Sequence, residues 1–185
     1  MKLTKLTLIA SLAFGSLSAF AQTDSHSVAV TIQEVAIVGI TSSATDGDTS
    51  LDLSPDQITE AGKGLDVSSI SDNSLWLNYS SIIASDGVTR SIGVKLDNEL
   101  NDGYSLKLTV GDDAGNGAGT MGTAAAQVTL STSESDIVTG IGSSYTGAGA
   151  NNGRQLTYTL EIDEAAYGDI YATTETVNIT YTITE

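Results

Sequence analysis

"QLTYTLEI", residues 155–162, places apolar and polar side chains in alternation. Leu156, Tyr158, Leu160 and Ile162 fall on one side of an extended chain, because successive side chains of a strand point to opposite faces. A half-buried β-strand produces this period of two, and Thr, Tyr and Ile suit a pleated surface. The stretch therefore predicts a strand with one face on a hydrophobic core.

The same alternation recurs along most of the chain, and no segment sustains the helical period of 3.6 residues. Short alternating runs separated by turn signals are typical of β-sandwiches. We therefore expect an all-β fold, an immunoglobulin-like antiparallel β-sandwich of about 8–9 strands. The predicted strands lie at or near residues 28–40, 50–53, 65–70, 74–83, 90–96, 104–110, 123–131, 136–141, 156–162 and 177–183.

Turn chemistry divides these strands. Four dipeptides accept the positive φ of tight turns: Asp46-Gly47, Asp86-Gly87, Asp102-Gly103 and Asn152-Gly153. Asn101-Asp102-Gly103, between two alternating runs, predicts a hairpin. Ser54-Pro55-Asp56-Gln57 predicts one helical turn, since Ser caps helices and Pro suits their first position.

The first 21 residues have the pattern of a secretory signal. Lys2 and Lys5 precede an apolar run from Leu6 to Phe20, and Ala19-Phe20-Ala21 matches the small-x-small cleavage pattern. The run is shorter than the roughly 20 apolar residues of a membrane span. We expect residues 1–21 to be removed, residues 22–185 to form a single β-sandwich domain without a transmembrane segment, and the protein to reach the periplasm, the cell surface or the medium.

Charge and cysteine content limit the partners. The formal net charge is −16, and without Lys2 and Lys5 it becomes 5 − 23 = −18. Such a field repels nucleic acid, so no nucleic-acid partner is expected. The chain has no cysteine, so the fold must be held by its core rather than by disulfides.

Catalytic side chains are scarce. His26 is the single histidine, and it lies near the expected start of the mature chain. A Ser-His-Asp triad needs a histidine fixed by packing, and a zinc site needs several Cys or His ligands. We therefore expect no enzymatic activity and no catalytic residues.

Two acidic loops contain candidate ligands for calcium. Asp46 and Asp48 lie in one polar loop, and Asp112 and Asp113 in another. Calcium takes six to eight oxygen ligands, and such loops can supply some of them. Neither loop completes an EF-hand, and acidic loops are common in so acidic a chain. We expect no cofactor, with these four residues as calcium candidates.

Two other features favour a structural role. The Gly-rich residues 147–153 precede a strand rather than a helix and lack phosphate-loop spacing, so they are predicted to turn a corner. Arg154 beside them is interpreted as a solvated base, with contact to an anion as the alternative. Trp76, the single tryptophan, is interpreted as a core or edge packing residue, with ligand stacking as the alternative.

The N-terminal part of the mature chain admits two interpretations. Val28, Val30 and Ile32 alternate with polar or small residues, and residues 35–40 are continuously apolar or Gly, which suggests burial on both faces. The segment either completes its own sheet or completes the sheet of a neighbour by strand addition. The continuous run 35–40 favours the first, which predicts a monomer.

Two resemblances bear on this choice. The alternating N-terminal extension and the strand at 177–183 resemble the subunit plan of chaperone–usher pilins, in which an N-terminal extension donates a strand to the next subunit. "WLNYSS" (76–81) and "IGSSYTGAGANNGRQLTYTL" (141–160) are similar to an uncharacterised group of small exported β-proteins of Gram-negative bacteria.

These patterns together predict a secreted or cell-surface structural or adhesive protein. It would act by protein–protein contact or self-association, as fimbrial-type subunits do. The alternative is an extracellular or periplasmic module that binds calcium or carbohydrate, with Trp76 and the tyrosines as stacking residues.

Overall fold

The computed structural model describes residues 24–185, and its secondary structure is almost entirely β. Nine strands and one short 3₁₀ helix follow in chain order: β1 (Val35–Ser42), β2 (Ser71–Ile82), β3 (Arg90–Leu96), β4 (Tyr104–Asp113), β5 (Ala118–Ala124), β6 (Val128–Thr129), β7 (Ser135–Tyr145), β8 (Arg154–Ile162), the 3₁₀ helix (Glu164–Asp169) and β9 (Ile179–Thr184). All nine strands belong to the compact unit Gln33–Glu185.

Every strand pair is antiparallel. The ladder runs β6-β4-β8-β2-β7-β3-β9, with β1 added to β2 and β5 added to β7. β2 and β7 share only the pairs Ser80–Tyr145 and Ser81–Ser144. This short link divides the strands into two layers, one of β1, β2, β4, β6 and β8, the other of β3, β5, β7 and β9.

Side chains from both layers meet in one core. The Tyr79 hydroxyl on β2 donates to Met121 O on β5, and the hydroxyls of Tyr158 on β8 and Tyr181 on β9 are hydrogen-bonded to each other. The predicted all-β sandwich is confirmed. Its buried apolar side chains are Leu75, Leu77, Tyr79, Ile92, Val94, Leu96, Leu106, Leu108, Val110, Leu130, Ile137, Val138, Ile141, Leu156 and Tyr158.

Alternation places the strands as predicted where it is unbroken. On β8, Arg154, Leu156 and Tyr158 are buried, while the residues between them are half-buried on the other face. β3 buries the face that contains Ile92, Val94 and Leu96 in the same way. The predicted runs at 74–83, 90–96, 104–110, 136–141, 156–162 and 177–183 all fall on strands whose bounds differ by a few residues.

Three strand predictions need correction. The strand expected at 28–40 is confined to Val35–Ser42, and the one at 123–131 is divided between β5 and β6. Residues 50–53 and 65–70 form no strand. Burial of β1 on both faces is also wrong, because β1 pairs with β2 alone and leaves 62% of Ile37 exposed.

The local predictions at turns are partly correct. Gly47, Gly87, Gly103 and Gly153 all have positive φ. However, the hairpin expected at 101–103 is wrong, since β3 pairs with β7 and β9 while β4 pairs with β6 and β8. This connection crosses between the layers. The helical turn expected at 54–57 is absent, and the described helix instead begins after Asp163, whose side chain accepts from Ala165 N.

Candidate functional site

The leading segment (residues 24–34) precedes β1 and forms no strand. Val28, Val30 and Ile32 are 75%, 80% and 74% exposed and pair with none of the nine strands. The expectation that they complete their own sheet is therefore not met, while the predicted monomer stays a prediction. The physical reason is that β1 starts at Val35, so the continuous apolar run supplies the first strand without the residues before it.

Arg90 lies where the leading segment joins β1. Only 4% of its surface is exposed, and its Nη1 donates to Val35 O at 2.6 Å, Ile82 O at 2.9 Å and Ser81 Oγ at 3.2 Å. Its Nη2 donates to a carboxylate oxygen of Glu34 at 3.2 Å and to one of Glu185 at 3.0 Å. One buried guanidinium thus holds the start of β1 beside the residue that follows β9.

β1 and β9 form the neighbouring open edges of the two layers. Among the described strands, β1 pairs only with β2 and β9 only with β3, although β1 and β9 contact each other. A strand paired on one side presents unpaired backbone N–H and C=O groups on the other. Two such edges, side by side, can each accept hydrogen bonds from a further strand.

The inter-sheet cavity opens at the end of these edges that is distant from Arg90. It has a volume of about 780 Å³ and is lined by Ile40 of β1 and Ile179 of β9. Further apolar lining comes from Leu75, Leu106, Leu160, Ile162, Val177 and Tyr181, and from Leu51, Leu53 and Leu65 of the connection between β1 and β2. An apolar cavity therefore lies between the layers at this end, beneath the connection between β1 and β2.

Two tyrosines supply polar groups at the cavity. Burial raises the pKa of Tyr158 to about 12 and also raises the pKa of Tyr181, whose hydroxyl is bonded to that of Tyr158. Both side chains are thus neutral at physiological pH. The hydroxyl of Tyr104, also at the cavity, donates to Glu175.

The cavity lining also contains carboxylates. Asp52 and Glu175 both contribute to it. The Ser54 hydroxyl and the Ser54 N–H donate to Asp52 and lower its pKa. The carboxylate remains charged at neutral pH, so an uncharged or basic occupant is favoured over an acidic one.

The four calcium candidates are not brought together. Asp46 Oδ1 accepts from Asp48 N, and Asp48 Oδ1 accepts from Ser50 N, so each carboxylate stabilises its own turn. Asp112 is exposed, whereas Asp113 is half-buried opposite Arg154 in the ladder, with its Oδ2 buried and lacking a hydrogen-bond partner. No group of three or more His, Asp or Glu side chains suited to a metal occurs within residues 24–185.

The aromatic residues within the described range 24–185 form no common strip. Trp76 is half-buried on β2, opposite Thr41 and Gln155, on the face that points away from the core. The core position that we considered for it is therefore wrong, and edge packing does not apply on this central strand. The exposed tyrosines, Tyr145 and Tyr171, line different cavities.

Arg154 was interpreted as a solvated base, and this is wrong, since only 3% of it is exposed. Its Nε donates to the Tyr79 hydroxyl at 3.1 Å, and its guanidinium also donates to the carbonyls of Gly111, Met121 and Gly122. The signal was available, because the alternation of β8 extended two residues back from Leu156 places Arg154 inward.

The Gly-rich loop turns a corner, as predicted. It carries the chain from β7 to β8, which do not pair with each other. A side chain at Gly153 would overlap Leu77 O, and Asn152 Nδ2 donates to Ala148 O within the loop. The bond from Asn152 closes the loop on itself, and the close approach to Leu77 places the end of the loop against β2.

Comparison with protein-family models, curated proteins and solved structures found no match to this chain. In the part of the chain that the structure describes, no helix is long and apolar enough to cross a membrane. The predicted signal at residues 1–21 lies outside the described residues, and export stays a prediction.

Proposed function

We propose that the protein is an exported structural subunit that associates with further copies of itself by strand addition. The leading segment of one copy would insert between β1 and β9 of the next. The observation that carries this proposal is the exposure of Val28, Val30 and Ile32, at 74–80%, in a chain that also has an apolar cavity between its layers.

The two surfaces are complementary in pattern. Val28, Val30 and Ile32 are spaced by two residues, so an extended segment points all three to one face. An added strand gains affinity from backbone hydrogen bonds and specificity from alternate side chains in pockets. The open edges of β1 and β9 supply backbone groups for the hydrogen bonds, and the inter-sheet cavity supplies the pockets for the side chains.

Charge also favours this occupant. Residues 25–33 contain no Asp, Glu, Lys or Arg, in a chain of formal net charge −16. These uncharged residues can approach a cavity containing Asp52 and Glu175 without the repulsion that most of the acidic surface would meet. The resemblance to pilin subunits supports the same arrangement.

A binding module for calcium or carbohydrate is less well supported. The aspartates at 46, 48, 112 and 113 do not converge on one point, and the exposed tyrosines lie apart. We therefore rank self-association above ligand binding.

A matched pair of variants tests the proposal. Val30→Asp places a charge on the apolar face of the leading segment, and Thr31→Asp places the same charge on the opposite face. Both side chains are exposed in the single copy, so neither change should alter its folding. The proposal predicts oligomers in size-exclusion chromatography for the unmodified chain and for Thr31→Asp, and monomer for Val30→Asp. A monomeric unmodified chain at high concentration would contradict it.

A further inference from the structure

The cover segment (residues 49–55) lies on the inter-sheet cavity and has the side-chain pattern of a strand. Leu51, Leu53 and Pro55 are half-buried, whereas Asp52 and Ser54 between them are exposed. Leu51 and Leu53 pack against the core. The segment therefore contributes one apolar face to the interior, as a strand of the sandwich would.

The backbone of the cover segment, however, joins no ladder. Ser50 N donates to Asp48 Oδ1 at 2.9 Å and Ser54 N donates to Asp52 Oδ1 at 3.0 Å. No backbone hydrogen bond between residues 49–55 and a described strand is present. Side-chain carboxylates have taken up amides that a ladder would otherwise use.

Side-chain contacts alone thus hold the cover segment, and they are incomplete, because a cavity of about 780 Å³ remains beside it. Segments with few buried apolar contacts and a solvent-exposed backbone open at low free-energy cost. A strand that made both the apolar contacts and the ladder would compete favourably for the same place.

The leading segment meets both requirements. Val28, Val30 and Ile32 have the spacing of Leu51, Leu53 and Pro55, namely every second residue. Residues 25–33 lack acidic side chains, whereas the cover segment brings Asp52 to a cavity that already contains Glu175. Exchange of the cover segment for residues 25–33 would therefore remove a like charge from the cavity.

We propose that the cover segment is a replaceable plug, which occupies the inter-sheet cavity of a single copy and is displaced when the leading segment of a second copy inserts. This inference rests on the proposed function and adds a mechanism that regulates association. Until an incoming segment displaces the plug, the interior of each free copy stays covered, which restrains premature association.

Thiol labelling tests the displacement, because the chain has no native cysteine. Leu53→Cys is introduced into the full mature chain with Val30→Asp, so that the protein accepts a segment but does not donate one. A synthetic peptide of residues 24–34 is then added, and its binding is followed by fluorescence anisotropy. Peptide binding should raise the labelling rate of the thiol by about tenfold, which corresponds to a shift of about 1.4 kcal/mol.

Two controls accompany this measurement. The same peptide with Val30→Asp should neither bind nor change the rate. Ile58→Cys, at an already exposed position in the same connection, should label at the same rate with and without peptide. Peptide that binds while the thiol at position 53 stays equally or less reactive would overturn the plug but leave strand addition standing. Peptide that does not bind would overturn both.

A second variant pair keeps the test independent of the thiol. Leu51→Ser with Leu53→Ser loosens the plug and should tighten peptide binding by about tenfold. Ile58→Ala, which does not line the cavity, should leave the affinity unchanged. Equal affinities for the two would contradict displacement.

Discussion

Arg154 donates from Nε to the hydroxyl of Tyr79 at 3.1 Å, and that hydroxyl donates to Met121 O at 2.6 Å. The guanidinium therefore joins β8 to β2 and, through Tyr79 and through direct bonds to Met121 and Gly122, to β5 in the opposite layer. The buried guanidinium of Arg154 thus links the two layers by hydrogen bonds, as a disulfide does in many β-sandwiches.

Arg154→Met should destabilise the fold by about 3 kcal/mol, because it removes the donor to the partly buried carbonyls of Gly111 and Gly122 and to the Tyr79 hydroxyl. Urea denaturation measures this loss. Lys107→Met is the control, since Lys107 pairs with Glu161 on the surface at 2.6 Å and should cost below about 1 kcal/mol. Equal losses for the two variants would argue against the role given to Arg154.

Alkaline pH should destabilise the fold through Tyr158 and Tyr181. Burial raises the pKa of Tyr158 to about 12, and it also raises that of Tyr181. Since a phenol in the unfolded chain titrates near pH 10, the neutral pair contributes its full stability below about pH 10 and loses it as the pH rises through about 12.

Ultraviolet absorbance of tyrosinate, measured together with unfolding, tests this pH dependence. Tyr158→Phe should remove one of the two phenols whose pKa is raised by burial. Complete titration of all seven tyrosines near pH 10 in the folded protein would contradict the prediction.

Alternation predicted the strands because their two faces differ in burial. Apolar and polar side chains therefore alternate at every second residue of the sequence. It failed at residues 50–53 for a reason that the sequence also contains. Aspartate two residues before a serine, as in Asp52-Leu53-Ser54 and Asp66-Val67-Ser68, accepts the serine amide and takes it out of any ladder. Side-chain period therefore predicted which residues face the core, but not whether the backbone pairs.

Local sequence patterns did not predict which strands pair with each other. The positive φ of Gly103 was predictable from Asp102-Gly103, yet the turn leads to the opposite layer rather than to a hairpin. The open edges of β1 and β9 and the cavity between them depend on long-range pairing. Of the candidate site, the sequence therefore predicted only the inserting residues Val28, Val30 and Ile32. It did not predict the strand edges and the cavity that would receive them.

Chelation of calcium should leave stability unchanged, because the carboxylates at Asp46 and Asp48 already bond to their own turn. Thermal unfolding with and without EDTA checks this. A melting temperature that falls by several degrees and returns on addition of calcium would show that a site exists. Asn substitutions at Asp46, Asp48, Asp112 and Asp113 would then locate it.

Export should produce a chain that begins at Gln22, after Ala19-Phe20-Ala21. Intact mass of the exported protein measures this directly. Retention of Lys2 and Lys5 in the product would exclude cleavage at that site.

Cross-linking between isotopically distinct copies tests the central claim most directly. A photoreactive amino acid replaces Ala29 in the leading segment, and ¹⁴N and ¹⁵N copies are mixed before assembly and irradiation. The account predicts cross-links that join the leading segment of one isotope to β1 or β9 of the other, and their loss in Val30→Asp but not in Thr31→Asp. Cross-links confined to single copies, or reaching other surfaces, would contradict strand addition.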